Sequence, residues 1–274
     1  MELRDRTVVV TGGASGIGAA CVRAFAAQGA HVVIADVQDD LAEAVAGEIG
    51  GLAVHCDVGR EADVNALVAE TEARFGPIDL FFSNAAVATG GDPLTTDIDV
   101  WDEQWRINLM AHVFAVRAVL PGMLERGSGY LLHTASMAGI LTSQGNATYS
   151  VTKHAVVGLA EWMAIAYHDR GIRVSLLAPL GVNTPMLGGM AAPGRPATAG
   201  TRVGDRRSAA SLSAVGPVKE PEEVAAQVLD AVHEERFLIL TDPIAQTWME
   251  RKTNDLERWL HGMRRLQRRM AEGE

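Results

Sequence analysis

The segment Thr7–Gly18 reads TVVVTGGASGIG, and a helical pattern follows it from Ala19 to Gln28. The β-branched run predicts a strand, and the glycines predict a tight turn between this strand and the helix. Backbone N–H groups in such a turn, beside the positive end of a helix, are placed to bind a pyrophosphate. The segment therefore predicts a dinucleotide-binding loop in an α/β fold.

Each residue of this glycine loop has a predicted task. Gly12 forms the tight turn, Gly16 lets the cofactor approach the backbone, and Gly18 lets the helix pack on the sheet. Ser15 and Ile17 complete the cofactor contacts expected in the loop. Glycine repeats alone are more often ordinary turns, but here the strand before the loop and the helix after it favour cofactor binding.

A carboxylate follows the second predicted strand. The run His31–Ala35 ends at Asp36, about 20 residues beyond the glycines. A carboxylate in this position accepts hydrogen bonds from the adenosine ribose and repels a 2′-phosphate, and Ser15 and Val37 offer no cation to such a phosphate. The predicted cofactor is therefore NAD rather than NADP. The alternative is that Asp36 only caps a helix.

The third predicted strand, Leu52–Cys56, is followed by Asp57 and Val58. Ligands of open parallel sheets lie beyond the carboxyl ends of the strands. We therefore expect Asp57 to meet the adenine amino group, with Val58 against the ring. The alternative, which the sequence supports equally, is that Asp57 only caps its loop.

The fourth predicted strand, Ile78–Phe82, is followed by Asn84 and Ala85. Asn84 is expected to tie neighbouring strands together, and the small Ala85 to let the cofactor ribose lie close to the chain. Four strands that alternate with helices predict a right-handed, doubly wound parallel sheet.

A second motif lies in the middle of the chain. Tyr149 and Lys153 are four residues apart, so a helix would present both on one face. A fixed cation beside a phenol lowers the phenol's pKa from roughly 10, and Tyr149 would then be a general acid and base near neutral pH. Ser136 ends an apolar run upstream and is expected to hold a carbonyl oxygen. Surface helices often carry Tyr and Lys at this spacing, so the motif depends on the rest of the chain.

Asn108 lies inside the predicted helix Ile98–Arg126. Asparagine is a poor residue for a helix interior because its side chain competes for backbone hydrogen bonds. Two interpretations follow: Asn108 is a tolerated surface residue, or it loosens the helix and holds a water near Lys153.

Composition limits the function classes. The chain has 274 residues and a net charge of −10, which suit a single domain over 1–274 and disfavour a nucleic-acid partner. Cys21 and Cys56 lack metal-ligand spacing, so we expect a reducing compartment and no metal. The charged N-terminus leaves no room for a signal peptide, and we find no apolar run near the ~20 residues of a membrane span. We therefore expect a cytoplasmic protein.

Together these motifs resemble the short-chain dehydrogenase/reductase family over about residues 5–240. The resemblance implies a single-domain Rossmann-like fold with seven parallel strands flanked by helices. It implies hydride transfer between a nicotinamide cofactor and an alcohol or ketone. It also implies a homotetramer as the usual assembly, with a dimer as the alternative.

The resemblance also implies roles for the second motif. Tyr149 would be the acid and base, and Lys153 would lower its pKa and hold the nicotinamide ribose. Ser136 would bind the reacting oxygen, and Asn108 the water that relays protons through Lys153.

The family's last motif corresponds to Pro179 through Thr184, in which Val182 and Thr184 would position the nicotinamide carboxamide. The chain departs from the family pattern twice. Ala86 stands where members commonly have glycine, and Leu180 follows Pro179 where they commonly have glycine. The leucine side chain is expected to narrow or reshape the substrate site.

In the family, residues after Ser136 and just before Tyr149 face the substrate. The pocket candidates, with these two, are Met137, Thr142, Gln144, Leu180 and Met186. Because this set is mostly apolar, the predicted substrate is a hydrophobic secondary alcohol, and a cyclic one fits best. The stretch 185–216 is rich in glycine, alanine and proline and predicts a lid over the substrate.

The tail 244–274 carries an apolar helical stripe and late arginines. It is predicted to pack on a neighbouring subunit or near the pocket mouth. Two other functions stay open. One is a catalytically silent NAD-binding sensor or scaffold, although the chain keeps all four catalytic groups. The other is a reductase of carrier-bound 3-oxoacyl chains, which Asp36 and the acidic charge oppose.

Overall fold

The central sheet is parallel throughout, and its strands follow the order β3-β2-β1-β4-β5-β6-β7. The structure, a computed structural model, describes residues 1–187 and 218–272. The predicted lid therefore lies outside the described residues, apart from 185–187. The described strands are β1 (Thr7–Thr11), β2 (His31–Asp36), β3 (Leu52–His55), β4 (Leu80–Ser83), β5 (Gly129–Thr134), β6 (Ile172–Ala178) and β7 (Leu238–Leu240).

Helices cover both faces of this sheet. They are α1 (Gly16–Ala27), α2 (Asp39–Ile49), α3 (Glu61–Phe75), α4 (Ile98–Trp105), α5 (Ala111–Arg126), α6 (Ala138–Leu141), α7 (Ala147–Tyr167), α8 (Pro221–Glu234), α9 (Pro243–Asn254) and α10 (Leu256–Glu272). The predicted doubly wound α/β architecture is confirmed.

Strand β1 lies in the middle of the sheet, and both of its faces are buried. Val8 and Val10 belong to the cluster under α1 and α8, whereas Val9 belongs to the cluster under α3, α5 and α7. A parallel strand covered on both faces reads as a continuous apolar run, which explains the three valines in a row. Strand order reverses between β1 and β4, and such a switch point leaves a crevice at the carboxyl ends of the strands.

The long apolar helix predicted at Ile98–Arg126 is one continuous helical segment with a change of pitch. A π-helical turn, Arg106–Met110, joins α4 to α5. By length and hydropathy alone the whole segment could cross a membrane. In the structure α5 packs against α3 and against strands β4 and β5, so its apolar residues belong to the core.

The C-terminal tail differs from the single apolar stripe that the sequence predicts. It forms two helices, α9 and α10, which are separated at Asp255. The backbone of Asp255 is extended, and its carboxylate accepts a hydrogen bond from the Arg258 N–H at 2.9 Å. This side chain therefore begins a new helix and prevents α9 from continuing. Helix α9 packs against α6, which places it close to Ser136 within the same subunit.

Candidate active site

The glycine loop connects β1 to α1 and lies against two other segments of the cleft. Gly16 has a φ of +53°, and a Cβ atom there would lie 3.0 Å from the Thr184 methyl carbon. A Cβ atom on Gly18 would overlap the Gly12 carbonyl oxygen and lie 2.8 Å from Asn84 Nδ2. Glycine is thus required at both positions by conformation or by close approach. Ser15 and Ile17 are half-buried beside them.

Asp36 lies at the end of β2 and is only 7% exposed. Its Oδ2 atom accepts a hydrogen bond from the Ala14 N–H at 3.1 Å, and Oδ1 accepts one from the Gln38 N–H at 3.1 Å. The N-cap of α2 is Gln38, so Asp36 does not serve merely as a helix cap. The carboxylate instead fixes the glycine loop to the end of the neighbouring strand.

Asp57 and Val58, which follow β3, contact the loop and the core next to them. Asp57 Oδ1 accepts a hydrogen bond from the Gly59 N–H at 2.9 Å. This bond matches the alternative interpretation, in which Asp57 caps its own loop. Val58 is buried in the cluster that contains Val64 and Leu67. The expectation that the Val58 side chain lies against an adenine ring does not match this placement, because the side chain packs into the core.

Asn84 ties three strands together, as the sequence predicts. Its Nδ2 donates to the Thr11 and Gly12 carbonyl oxygens at 3.1 and 3.3 Å, and its Oδ1 accepts from Thr134 Oγ1 at 3.0 Å. The Ala85 N–H donates to Thr11 Oγ1 at 3.2 Å. This network joins the glycine loop, after β1, to the end of β5.

Ser136, Tyr149 and Lys153 meet where β5 ends and α7 begins. Asn146 caps α7, and its Oδ1 accepts a hydrogen bond from the Tyr149 N–H at 3.0 Å. The Ser136 hydroxyl lies close enough to the Tyr149 phenol to lower its pKa. The Lys153 ammonium donates to the Thr134 carbonyl oxygen at 2.8 Å. The structure thus brings the predicted serine, tyrosine and lysine into one site.

The pKa of Tyr149 is shifted in the opposite direction to the one that the sequence predicts. The Lys153 Nζ atom lies 5.7 Å from the centre of the Tyr149 ring and donates a hydrogen bond to the Thr134 carbonyl oxygen. Burial raises the pKa of the Tyr149 phenol, and the nearby Ser136 hydroxyl offsets part of this rise. Burial also lowers the pKa of Lys153, to about 7. Desolvation disfavours the charged form of each group.

Asn108 lies in the π-helical turn, so the predicted loosening of the helix is present. Its Oδ1 accepts a hydrogen bond from the Val87 N–H at 2.8 Å, and its Nδ2 donates to the Val87 carbonyl oxygen at 2.9 Å. The same Nδ2 lies 3.2 Å from Thr152 Oγ1 and 3.3 Å from Gln104 Oε1. Asn108 is fully buried and is not a tolerated surface residue. It connects the loop after β4 to helix α7.

The candidate substrate residues fall into two groups. Met137 is only 3% exposed and packs with Leu141, Ala178 and Ala245, which makes it part of an apolar wall. Leu180 lies against the same wall and is half-buried. The more open positions are Thr142, Gln144 and Met186.

Thr142 ends α6 with a φ of +73°, which non-glycine residues rarely adopt. Such conformations cost about 1–3 kcal/mol and persist where the surrounding structure enforces them. The strain lies between Ser136 and Tyr149, in the segment where we expect substrate contacts.

The last motif faces the glycine loop through the Thr184 side chain. Val182 is buried in the cluster under α1 and α8 and forms a parallel bridge with Lys219. Thr184 is half-buried and reaches Gly16. The Pro179 carbonyl oxygen accepts a hydrogen bond from the Met137 N–H at 3.0 Å, which joins this motif to the segment after Ser136.

Comparison with known proteins agrees with this geometry. A family model for short chain dehydrogenases matches residues 6–193. The chain belongs to the short-chain dehydrogenase family. The predicted family and the coarse function, an oxidoreductase, are confirmed.

Individual members of the family are similar over different lengths. The 2,5-dichloro-2,5-cyclohexadiene-1,4-diol dehydrogenase of Sphingobium indicum is 42% identical over 190 residues, which span 68% of this chain and 76% of that protein. The 1-deoxy-11-beta-hydroxypentalenate dehydrogenase of Streptomyces exfoliatus is 35% identical over 269 residues, spanning 95% and 91%. The solved structure of a short-chain dehydrogenase/reductase from Burkholderia phymatum in complex with NAD is 28% identical, has a TM-score of 0.83 and covers 94% of this chain and 96% of that one.

A buried histidine pair in this short-chain dehydrogenase is not predicted from its sequence. His112 Nδ1 lies 2.9 Å from His133 Nδ1, and both side chains are almost completely buried. Burial lowers the pKa of His133 to about 4 and the pKa of His112 well below its usual value. These residues are far apart in the chain, so no local pattern indicates their contact.

The role of Asn146 as a helix cap is also not among the sequence predictions, although a local sequence signal for this role exists. An asparagine directly before a helix is a strong N-cap signal, and it begins the helix that carries Tyr149.

The histidine pair predicts sensitivity to acid. Both folded-state pKa values are lowered, so below about pH 6.5 the unfolded chain binds protons that the folded chain does not. Stability is then lost as the pH falls from about 6.5 towards 4, by about 3 kcal/mol for His133 alone. Urea unfolding of the wild type at several pH values in this range should show the loss.

The variant His112→Leu/His133→Asn should lose less stability than the wild type over the same pH range. His261→Asn, at an exposed position on α10, is the matched control and should behave like the wild type. Equal pH slopes for the wild type and the double variant would contradict the assignment.

Proposed function

We propose that this protein is an NAD(H)-dependent oxidoreductase that interconverts a secondary alcohol and a ketone, with Tyr149 as the acid and base. The supporting observation is the convergence of Ser136, Tyr149 and Lys153 at the end of β5. Asn84 links this point to the glycine loop. The chemistry and the cofactor loop thus share one crevice.

The residues of the crevice fit a bound NAD. The glycine loop has no side chain at the points where its backbone is closest to Thr184 and Asn84. Asp36 is buried beside this loop and provides a carboxylate where the adenosine ribose of NAD is expected. When bound, NAD supplies the acceptor for the hydride in oxidation, and NADH supplies the donor in reduction.

Four side chains would position the reacting oxygen and transfer the proton. The Ser136 hydroxyl would hold the substrate oxygen in place beside the Tyr149 hydroxyl. In reduction Tyr149 would give its proton to this oxygen, and in oxidation it would take the proton away. Lys153, whose pKa is about 7, is suited to exchange protons near neutral pH and to hold a ribose hydroxyl. Asn108, beside α7, would hold the relay water.

For the substrate we propose a mostly apolar, cyclic small molecule. Met137 and Leu180 form an apolar wall beside Ser136, and Trp248 from α9 packs against it. Two relatives, the 2,5-dichloro-2,5-cyclohexadiene-1,4-diol dehydrogenase and the 1-deoxy-11-beta-hydroxypentalenate dehydrogenase, support a cyclic alcohol. The presence of all four catalytic groups disfavours a catalytically silent sensor.

We also propose that the enzyme is cytoplasmic and assembles as a homotetramer. Three large apolar side chains on α4 and α7 are exposed in the single chain: Trp105, Trp162 and Ile165. Exposed apolar patches on helices are typical of interfaces between subunits. Size-exclusion chromatography with light scattering will give the assembly.

Tyr149→Phe tests the chemistry. The change removes the hydroxyl that carries the proton, so turnover of cyclic secondary alcohols should fall by about a thousandfold, while NADH binding stays near the wild-type value. Absorbance of the reduced cofactor measures turnover, and fluorescence titration measures NADH binding. Tyr167→Phe, on the same helix and away from the site, is the control. Near wild-type turnover by Tyr149→Phe would disprove the proposal.

The raised pKa of Tyr149 predicts opposite pH profiles for the two directions. A neutral phenol is the form that donates a proton, so ketone reduction should be fastest near neutral pH and decline as the phenol ionises in alkali. Alcohol oxidation needs the phenolate and should rise over the same alkaline range. Rates in both directions from pH 6 to 11 will test this. Profiles with the same slope would contradict it.

Asp36→Asn tests cofactor choice. Loss of the charge weakens the hydrogen bonds to ribose and removes the repulsion of a 2′-phosphate, so NADH should bind about tenfold more weakly and NADPH more tightly than in the wild type. Asp39→Asn changes a nearby exposed carboxylate that pairs with His55 and should leave both affinities unchanged. A wild-type preference for NADPH would overturn the choice of NAD.

A further inference from the structure

The segment from Ser136 to Gln144 contains most of the candidate substrate residues, and α6 is its only regular element within the described chain. Helix α6 has four residues, so its last carbonyl groups lack partners within the helix. The position of this short helix determines where the segment runs beside Ser136. Contacts from outside the helix must therefore fix it.

One such contact comes from the C-terminal tail. The Lys252 ammonium, on α9, donates a hydrogen bond to the carbonyl oxygen of Ile140 in the last turn of α6. A cation is favourable at a helix C-terminus, where it satisfies an unpaired carbonyl. Lys252 is partly buried and, within the described residues, has no carboxylate within salt-bridge distance. Its charge is directed to the carbonyl instead.

Side-chain packing does not fill the space around this contact. A cavity of about 340 Å³ lies between the two helices, and its walls are Ile140, Met249, Lys252, Thr253 and Leu256. Met137 and Leu141, on the other side of α6, pack tightly with Ala245. On the cavity side the lysine hydrogen bond joins the two helices beside the apolar packing of Ile140 and Met249.

The strained end of α6 requires support from both sides. Thr142, with its positive φ, lies between Ile140 and Ser143. The Ser143 N–H donates to Ser150 Oγ at 2.9 Å, which fixes the far side of the strained residue to α7. Lys252 fixes the near side through Ile140. Release of one side would let Thr142 relax and shift the segment.

We propose that Lys252 is a positioning residue for the substrate site: it holds α6 so that residues 136–144 keep the shape that selects the substrate. The proposal rests on the proposed oxidoreductase function and deepens it. It assigns a role in substrate specificity to the C-terminal tail, which lies outside the parallel sheet. Cofactor binding, which depends on the other side of the crevice, is independent of Lys252.

Lys252→Met tests this role because it keeps the length of the side chain and removes the donor. Arg251→Met is the matched control, since Arg251 is the neighbouring exposed cation on α9. With cyclohexanol and decalol as uncharged probes, the Lys252 variant should raise KM about tenfold, the size of effect expected for one charged hydrogen bond, with little change in kcat or in NADH affinity. Lys252→Arg, which retains a donor, should recover part of the loss.

Amide hydrogen exchange gives a second measurement that needs no turnover. Residues 138–145 should exchange faster in Lys252→Met than in the wild type and in Arg251→Met, and the glycine loop should be unchanged. Exchange and KM that both stay at wild-type values would overturn the proposal.

An anionic probe separates positioning from direct charge recognition. A hydroxycyclohexane carboxylate should lose activity in Lys252→Met to the same extent as the uncharged alcohols. A loss confined to the carboxylate, without faster exchange, would overturn the proposal by showing that Lys252 binds substrate charge. If no alcohol is turned over by the wild type, the proposed function fails, and the exchange experiment still decides the role of Lys252.

Discussion

The buried ammonium of Lys153 is the interaction on which the site depends. Lys153 is fully buried, and its bond to the Thr134 carbonyl oxygen fixes α7 to the end of β5. Burying a charge is costly unless the charge is paired or the pKa shifts, and here the pKa falls to about 7. The same desolvation raises the pKa of Tyr149. The site thus holds a phenol that keeps its proton and an amine that gives up its proton more readily.

The cofactor side of the crevice is built around the same strand ends. The Thr134 carbonyl oxygen accepts a hydrogen bond from the Lys153 ammonium, and the Thr134 hydroxyl donates one to Asn84. Asn84 in turn donates a hydrogen bond to the Gly12 carbonyl oxygen in the glycine loop. Asp36 fixes this loop from the other side. Hydrogen bonds among the ends of parallel strands therefore hold the glycine loop and the proposed acid–base pair in one frame. This rigidity favours hydride transfer, which needs the reacting atoms close together.

The proposed substrate side is organised differently. Its walls come from the segment after Ser136 and from α9, which is contributed by the C-terminal tail. The family model ends at residue 193, before this tail. The proposed catalytic and cofactor residues thus lie in the matched part of the chain, whereas part of the proposed substrate wall lies beyond it. Such a division allows substrate choice to vary without disturbing the catalytic frame.

The sequence alone determines the features that depend on local spacing. The run Thr7–Gly18 determines the strand, turn and helix, and the four-residue spacing puts Tyr149 and Lys153 on one helix. Both are properties of neighbouring residues, so pattern and period are sufficient to predict them. The alternation of strands and helices similarly determines the doubly wound sheet.

Only the tertiary structure decides what depends on surroundings that are distant in the chain. The direction of the Tyr149 pKa shift follows from burial, and Val58 and Met137 face the core because of elements packed against them. The contact between His112 and His133, and that between Lys252 and Ile140, join residues from separate elements. Spacing carries no information on such contacts, because desolvation and packing arise after the chain has folded.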